Sequence, residues 1–445
     1  MEKQADIPGK SVRIPETVSL SKKKTGVSIY QKLGALIVFL LKSPSFDHLA
    51  SHCADVAPIT ASEFYKRQHA LAETLHSLGA SAYVAEPGAN AHFFTNVSSS
   101  RWHLSERPFL LVIAPEVLSD NEVKPRISVI TPRFEATRAH LLSIPAKENV
   151  SFFEWDEDSS PYLTAISALG TNGEKIYVDG DIRKFIADGL ADVLLENEVL
   201  SAPLEVKSLR ERKSDSEIEI LRCANEVTLL AIRSVRKEMY IGMRESEAQS
   251  LVIEALASAG LADPFVLGLF GENAALPHGS GTDRALGKED LILFDCGGTL
   301  HEYHSDITRT FALKDSRIPT KHLEVWFTVH AAQTAALASA RNGTLTSAVD
   351  KAARTVITEA GYGSYFTHRL GHGLGLEEHE GPYLRGGSAD TILTGHVFTD
   401  EPGVYIEGEV GVRLEDSFYV SAEHNGESVL LTERVGGQAV SPWLI

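Results

Sequence analysis

The chain has 445 residues, which is enough for two domains and a large core. Hydrophobic residues make up 43% of it and charged residues 23%, so the composition excludes a chain that is disordered throughout. The formal net charge of −18 argues against nucleic acid as a partner, because phosphate binding needs a basic surface. Three cysteines cannot form a disulfide framework, which favours a reducing compartment or at most one bridge.

Residues 1–57 differ in character from the rest of the chain. An apolar run from Leu33 to Leu41 is too short to span a bilayer, since a spanning helix needs about 20 residues. The run matches the apolar core of a signal peptide, although an unusually long segment precedes it. We expect a cytoplasmic protein; the alternative is the secretory pathway or a membrane, reached only through residues 1–57. Three sequons, at Asn96, Asn149 and Asn342, would allow glycosylation of a secreted chain.

From Pro58 onward, strands and helices alternate for about 150 residues, which predicts a small α/β domain at 58–203. Its first helix begins near Ser62 and ends at Gly79, a residue suited to a helix C-terminus. Trp102 stands out in a polar loop of this domain. It is either folded under its own domain or helps to close a substrate pocket, in this subunit or in a partner. The predicted strands are 82–84, 109–114, 127–131 and 176–179, and the further helices are 133–142 and 181–195.

A proline and a charged segment near residue 203 mark the start of a second domain, 204–445. Ser214 and Glu217 form a capping-box pattern that predicts a helix through Ile232. Three more helices are predicted at 245–259, 323–343 and 345–361.

Between these helices, Leu291 to Phe311 predicts a β-hairpin that carries two acids. An apolar strand ends at Asp295, the glycine pair 297–298 suits a turn or a bulge, and a second strand follows Asp306. Two carboxylates held side by side repel each other unless a proton or a metal ion lies between them. Cys296, which follows the first acid on an apolar strand, is expected to be a buried small side chain rather than a nucleophile.

Three later Gly-rich or turn-like segments bring further ligand types, around His372, Glu401 and Glu415. In order and spacing, these residues and the hairpin acids resemble the pita-bread metallopeptidases, the family of methionine aminopeptidase, Xaa-Pro aminopeptidase and prolidase. The separations of 11 residues from Asp295 to Asp306 and of 29 from His372 to Glu401 are similar to those of the proline-specific branch. The resemblance covers residues 58–440, including the Ser-Glu-Arg-Pro sequence at 105–108, which belongs to the pattern of a creatinase-like N-terminal domain.

The resemblance implies an α+β fold: a pita-bread catalytic domain preceded by a smaller creatinase-like α/β domain. It also implies the site residues. The metal ligands would be Asp295, Asp306, His372, Glu401 and Glu415. His278 and His379 would hydrogen-bond the substrate carbonyl or the developing oxyanion, and Glu401 would shuttle a proton. His368 and Arg413 match residues typical of proline-specific members, and Arg413 would orient a carboxylate.

The chemistry of this donor set agrees with the resemblance. Four carboxylates and one imidazole suit Mn²⁺, with Co²⁺, Fe²⁺ or Zn²⁺ as alternatives, and four acids need about two divalent cations for neutrality. We therefore expect an Xaa-Pro aminopeptidase or Xaa-Pro dipeptidase that acts through a metal-bridging hydroxide on peptides with proline at the second position. The family is usually dimeric, so a homodimer is expected.

Three alternatives stay open from the sequence. A relative on the same fold could be a metal-dependent lyase or a creatinase-like amidinohydrolase. A non-catalytic peptide-binding module is a second possibility, although no predicted ligand is missing. Methionine aminopeptidase is disfavoured by the creatinase-like domain and by His368 and Arg413.

Overall fold

The computed structural model describes residues 44–119, 121–169, 175–194, 198–279 and 281–445. The apolar run from Leu33 to Leu41 and its predicted targeting role lie outside these residues. Among the described residues, no helix combines the length and apolarity needed to cross a bilayer. Phe46–Ile445 form one compact unit, which contains every element described below.

The N-terminal domain is a six-stranded mixed sheet with helices, as its strand–helix alternation predicts. Its strands lie in the order β4-β3-β2-β1-β5-β6, with β1 and β5 parallel and β1 and β2 antiparallel. The strands are β1 Ala80–Ala85, β2 Leu110–Val117, β3 Val123–Pro132, β4 Ser151–Trp155, β5 Lys175–Val178 and β6 Glu198–Ser201. The helices are α1 Ala61–Ser77, α2 Ala89–Thr95, α3 Ala136–His140, α4 Pro161–Leu169 and α5 Lys184–Val193.

Trp102 packs inside this N-terminal domain. Its side chain is 5% exposed and stacks on Phe109 with ring centroids 4.1 Å apart. The guanidinium carbon of Arg138 lies 4.2 Å from the centroid of the indole ring. The first of the two interpretations, a loop aromatic folded under its own domain, is therefore the one observed.

The segment that precedes α1 belongs to the folded unit. Phe46 and Leu49 are each 3% exposed, and Cys53 forms a disulfide with Cys223. His52 Nε2 lies 2.9 Å from a carboxylate oxygen of Glu226. The folded unit thus begins before the predicted boundary at residue 57, and the cysteines form one bridge, the upper limit expected from their number.

The C-terminal domain holds two sheets flanked by helices. One sheet has the order β10-β8-β7 with β9 paired to β8, the other has the order β12-β11-β13-β16-β17, and β14 and β15 form a separate ribbon. The strands of the first sheet are β7 Ala262–Phe270, β8 Ile292–Leu300, β9 Tyr303–His304 and β10 Ile307–Phe311. The other strands are β11 Gly371–Gly373, β12 Glu380–Leu384, β13 Val397–Asp400, β14 Gly403–Ile406, β15 Val410–Arg413, β16 Asp416–Ser421 and β17 Glu427–Leu430. The helices are α6 Leu204–Glu211, α7 Asp215–Glu238, α8 Glu245–Ser258, α9 Thr320–Ser339 and α10 Thr346–Glu359.

Helix α7 begins as its sequence predicts. The Ser214 hydroxyl accepts a hydrogen bond from the Glu217 amide, and the Glu217 carboxylate accepts one from the Ser214 amide. The same end of the helix joins the two domains, because Arg67 of α1 lies 3.3 Å from the Glu217 carboxylate and also donates to Tyr303. These contacts attach the N-terminal domain to the elements that carry the hairpin.

The predicted hairpin is present, but its turn is not formed by the glycine pair. Gly297 lies within β8, where a Cβ atom would stand 1.9 Å from the carbonyl oxygen of Ser305. The chain reverses instead at His301 and Glu302, whose φ values are +51° and +72°. The prediction of a glycine turn was wrong because the pair is needed for close strand approach.

Candidate metal centre

The hairpin places its two acids on one face. Strand β8 pairs antiparallel with β10, so that Asp295 lies opposite Thr308 and Cys296 opposite Ile307. Extending this register by one residue sets Asp306 across from position 297, which is on the same face as Asp295 because side chains alternate along a strand. Cys296 points the other way, is fully buried, and burial raises the pKa of its thiol well above the ordinary value. Cys296 is therefore a core residue, as predicted.

The other three predicted ligands come from the second sheet and from the loops that leave it. His372 is in the middle of β11, Glu401 follows the last residue of β13, and Glu415 lies between β15 and β16. The amide of Glu415 donates to the carbonyl of Thr308, which connects the second set of elements to the hairpin.

All five predicted ligands converge, in three overlapping groups whose donor atoms lie within 4.8 Å of one another. The groups are Asp295, Asp306 and Glu415; His372, Glu401 and Glu415; and Asp306, His372 and His379. His372 Nε2 is 3.4 Å from a carboxylate oxygen of Glu401 and 3.6 Å from one of Asp306. The donor set that the sequence suggests is therefore brought together by the fold.

His372 is oriented as a ligand would be. Its Nδ1–H donates to the carbonyl of Gly373 at 3.0 Å, so Nε2 carries the lone pair that faces the carboxylates. Its main-chain amide donates to the hydroxyl of Thr399, which holds the strand in place. Burial lowers the pKa of His372 to about 3, so the imidazole is neutral at physiological pH.

The positively charged groups near the site are too few to balance the negative charge of its carboxylates. Burial and the neighbouring acids raise the pKa values of Asp306 and Glu415 well above their ordinary values. Burial raises the pKa of Glu401 to about 8, although the charge of Arg413 opposes the shift. Oxygen donors held at this spacing, with a neutral imidazole beside them, fit hard or borderline divalent cations. A divalent cation would supply the missing positive charge.

Arg413 connects two of the acids through one network. Its Nη2 donates to Asp295 at 2.5 Å, and its Nε donates to the Thr308 hydroxyl at 3.3 Å. That hydroxyl in turn donates to Glu415 at 2.6 Å. The expected role of Arg413, to orient a carboxylate, thus has a direct contact to Asp295 and an indirect one to Glu415.

His368 lies one layer farther out than the candidate ligands. Its Nδ1–H donates to the carbonyl of Arg369, and its Nε2 accepts from the Tyr405 hydroxyl at 2.9 Å. That hydroxyl accepts from Arg413 Nη1 at 3.0 Å. Burial lowers the pKa of His368 to about 4, which agrees with a neutral acceptor. His368 therefore supports Arg413 through Tyr405.

The two predicted catalytic histidines lie at the exposed side of the cluster. His379 stands edge-on to His372 with ring centroids 4.2 Å apart, and its side chain is exposed. Burial of part of the ring lowers the pKa of His379, and the charges of Arg369 and His278 lower it further. His278 is exposed in the turn before the hairpin, close enough to His379 for its charge to act on that ring.

Three residues of the site were missed from the sequence. Thr308 and Tyr405 are hydrogen-bond partners of Arg413, and only the alternation along β10 could have pointed to Thr308. Glu378 adds a further acid, since its charge raises the pKa values of Asp306 and Glu401. Its place beside His379 was visible in the sequence, but no spacing rule assigned it a role.

Comparisons with known proteins agree with this architecture. The sequence pattern of metallopeptidase family M24 matches residues 219–422. An uncharacterized peptidase of Schizosaccharomyces pombe is 39% identical over 389 residues, which are 85% of this chain and 84% of that protein. The crystal structure of the dipeptidase PepE from Mycobacterium ulcerans has a TM-score of 0.72 and 27% identity, and the match covers 84% of this chain and 97% of that one. The prolidase from Pyrococcus horikoshii OT3 has a TM-score of 0.70 and 25% identity, with 82% and 98% covered. The chain therefore belongs to metallopeptidase family M24 and has its pita-bread fold, as the resemblance in the sequence predicts.

Proposed function

We propose that this protein is a metal-dependent exopeptidase that hydrolyses the bond between an N-terminal residue and a following proline. The observation that carries the proposal is the convergence of Asp295, Asp306, His372, Glu401 and Glu415 beside His379. The similarity to a dipeptidase and to a prolidase supports a peptide substrate and the preference for proline.

Two divalent cations, with Mn²⁺ the best match to the oxygen-rich donors, would be held by the five candidate ligands. When bound, they would polarise the scissile carbonyl and lower the pKa of a water molecule. The acids carry too much negative charge for a single divalent cation to balance, which supports two ions rather than one.

The protein groups around the ions have separate tasks. Glu401 can take a proton from the nucleophile and return it to the leaving amine, because its carboxylate lies within the ligand cluster, 3.4 Å from His372 Nε2. His379 and His278 lie on the exposed side, where their N–H groups can donate to the carbonyl oxygen as negative charge develops. Arg413 holds Asp295 in place and does not need to contact the substrate.

The test is hydrolysis of Xaa-Pro and Xaa-Pro-Yaa peptides by the purified protein, with added Mn²⁺ and after chelation. Glu401→Gln and Asp295→Ala should abolish Mn²⁺-dependent release of the residue before proline. Glu407→Gln is the matched control, since Glu407 is exposed in the turn between β14 and β15. Full activity in either site variant would refute the proposal.

The same preparation addresses the remaining alternatives. A lyase would leave Xaa-Pro peptides intact while still binding metal, and a peptide-binding module would contain almost no metal per subunit. The expected homodimer is a further prediction, checked by light scattering of the purified protein.

A further inference from the structure

The disulfide between Cys53 and Cys223 joins parts of the chain that are 170 residues apart in sequence. Their Cα atoms are 5.8 Å apart, and the two residues are 6% and 5% exposed. Cys53 lies in the segment before α1, and Cys223 lies on α7, the helix that packs behind the metal-site hairpin. The bridge is therefore a buried part of the fold, and structural bridges of this kind persist in oxidising compartments.

A second observation, independent of the cysteines, concerns the three sequons. Asn149 is exposed in the irregular segment before β4, and the sequon serine, Ser151, is exposed as well. Asn149 makes no side-chain hydrogen bond to the rest of the described chain. A glycan on its exposed amide nitrogen would break no hydrogen bond that the described chain makes.

The Asn96 sequon has the opposite environment. Asn96 Nδ2 donates to the carbonyl of Ser143, and the sequon serine, Ser98, is 4% exposed and hydrogen-bonded to Ser100. A glycan on this nitrogen would replace one of its two N–H groups and would begin about 3.4 Å from the Ser143 carbonyl oxygen, where it competes with the first contact. Even a glycan transferred before folding must protrude from the folded protein, so Asn96 is a poor acceptor.

The third sequon is intermediate between these two. Asn342 is exposed, but its Oδ1 accepts hydrogen bonds from the amide and the hydroxyl of Thr394. Its Cβ is also close to Gly426, where an added methyl group would lie 2.8 Å away. Asn342 is thus packed against two neighbouring loops, whereas the Asn149 side chain makes no such hydrogen bond within the described chain.

We propose that this protein folds in the oxidising lumen of the secretory pathway and carries an N-linked glycan on Asn149. In the first step, the two thiols lose two protons and two electrons to a disulfide-bonded oxidoreductase, which is reduced to its dithiol. In the second, Asn149 Nδ2 displaces polyprenyl diphosphate from C1 of a lipid-linked oligosaccharide and loses one proton. Both reactions belong to that compartment, so the same location accounts for both features.

The test uses the full chain expressed in yeast and purified without reductant. Denatured protein should take up one thiol-alkylating group before reduction, at Cys296, and three after it. Removal of N-glycans by an amidase should lower the intact mass, and Asn149→Gln should remove that glycan. Asn96→Gln is the matched control and should leave the glycan mass unchanged.

Each contrary result has a clear meaning. Three alkylated thiols before reduction would refute the disulfide and the proposed compartment. Zinc bound to that reduced protein would instead assign Cys223, His52 and Glu226, which lie within 4.8 Å of one another, to a metal site. A bridged protein without glycan, or one whose glycan survives Asn149→Gln, would refute the assignment of Asn149. None of these readouts depends on peptidase activity.

Discussion

Thr308→Val tests whether the network behind the metal site fixes the geometry of a ligand. Thr308 is fully buried on β10, and its hydroxyl donates to Glu415 and accepts from Arg413. Valine keeps the shape of threonine but has no hydroxyl, so Glu415 loses its donor and Arg413 loses one acceptor. Removing a hydrogen-bond partner of a metal ligand typically lowers metal affinity by about 10–100-fold. This corresponds to about 1.4–2.8 kcal/mol of binding free energy.

The control for Thr308→Val is two residues farther along the same strand. Thr310 is also fully buried, and its hydroxyl donates to the carbonyl of Arg413 and accepts from the amide of Arg413. Thr310→Val therefore also removes two hydrogen bonds of a buried hydroxyl, but both are to main-chain groups and neither is to a carboxylate. The dissociation constant for Mn²⁺ would be measured by competition with a chromophoric chelator. An unchanged constant in Thr308→Val, or the same loss in both variants, would refute the reasoning.

Three further predictions concern stability, each measured as the urea midpoint followed by tryptophan fluorescence. The pKa of Glu401 is raised to about 8 in the metal-free fold, whereas burial lowers the pKa values of His372 and His368 from 6.5 to about 3 and 4. The histidines therefore gain stability as pH rises to 6.5, and above it the metal-free protein should lose stability as pH rises to about 8 because folded Glu401 must give up its proton. Mn²⁺ should reverse this loss, and a metal-free protein that gains stability between pH 6.5 and 8 would contradict the prediction. Replacing Cys53 and Cys223 by serine opens a loop of 170 residues and should cost about 5 kcal/mol by chain entropy; an unchanged midpoint would contradict it. Gly297→Ala should destabilise by about 3 kcal/mol and weaken metal binding, because the new methyl group meets the Ser305 carbonyl; a normal midpoint would show that the strands can move apart.

The local parts of the fold followed from sequence patterns. The capping box at Ser214 and Glu217 predicted the start of α7, and the apolar strand ending at Asp295 predicted β8. These features depend on residues only a few positions apart, so the capping pattern and the hydrophobic pattern are visible in the sequence itself. Short elements such as α2, Ala89–Thr95, and β4, Ser151–Trp155, were missed. With 7 and 5 residues, they are too short to show a clear hydrophobic period.

The sequence by itself determined the donor set: five residues of suitable type, in an order and spacing that resemble one family. Only the tertiary structure decided which groups hold those donors, since Thr308, Tyr405 and Arg413 meet across β10, β14 and β15. It also decided the role of Gly297 and the pairing of Cys53 with Cys223, because both depend on atoms distant in sequence or across a strand pair. The donor atom that each ligand offers is a property of its own side chain and can be read from the sequence. The charge balance and the orientation of the ligands arise from contacts that exist only after folding.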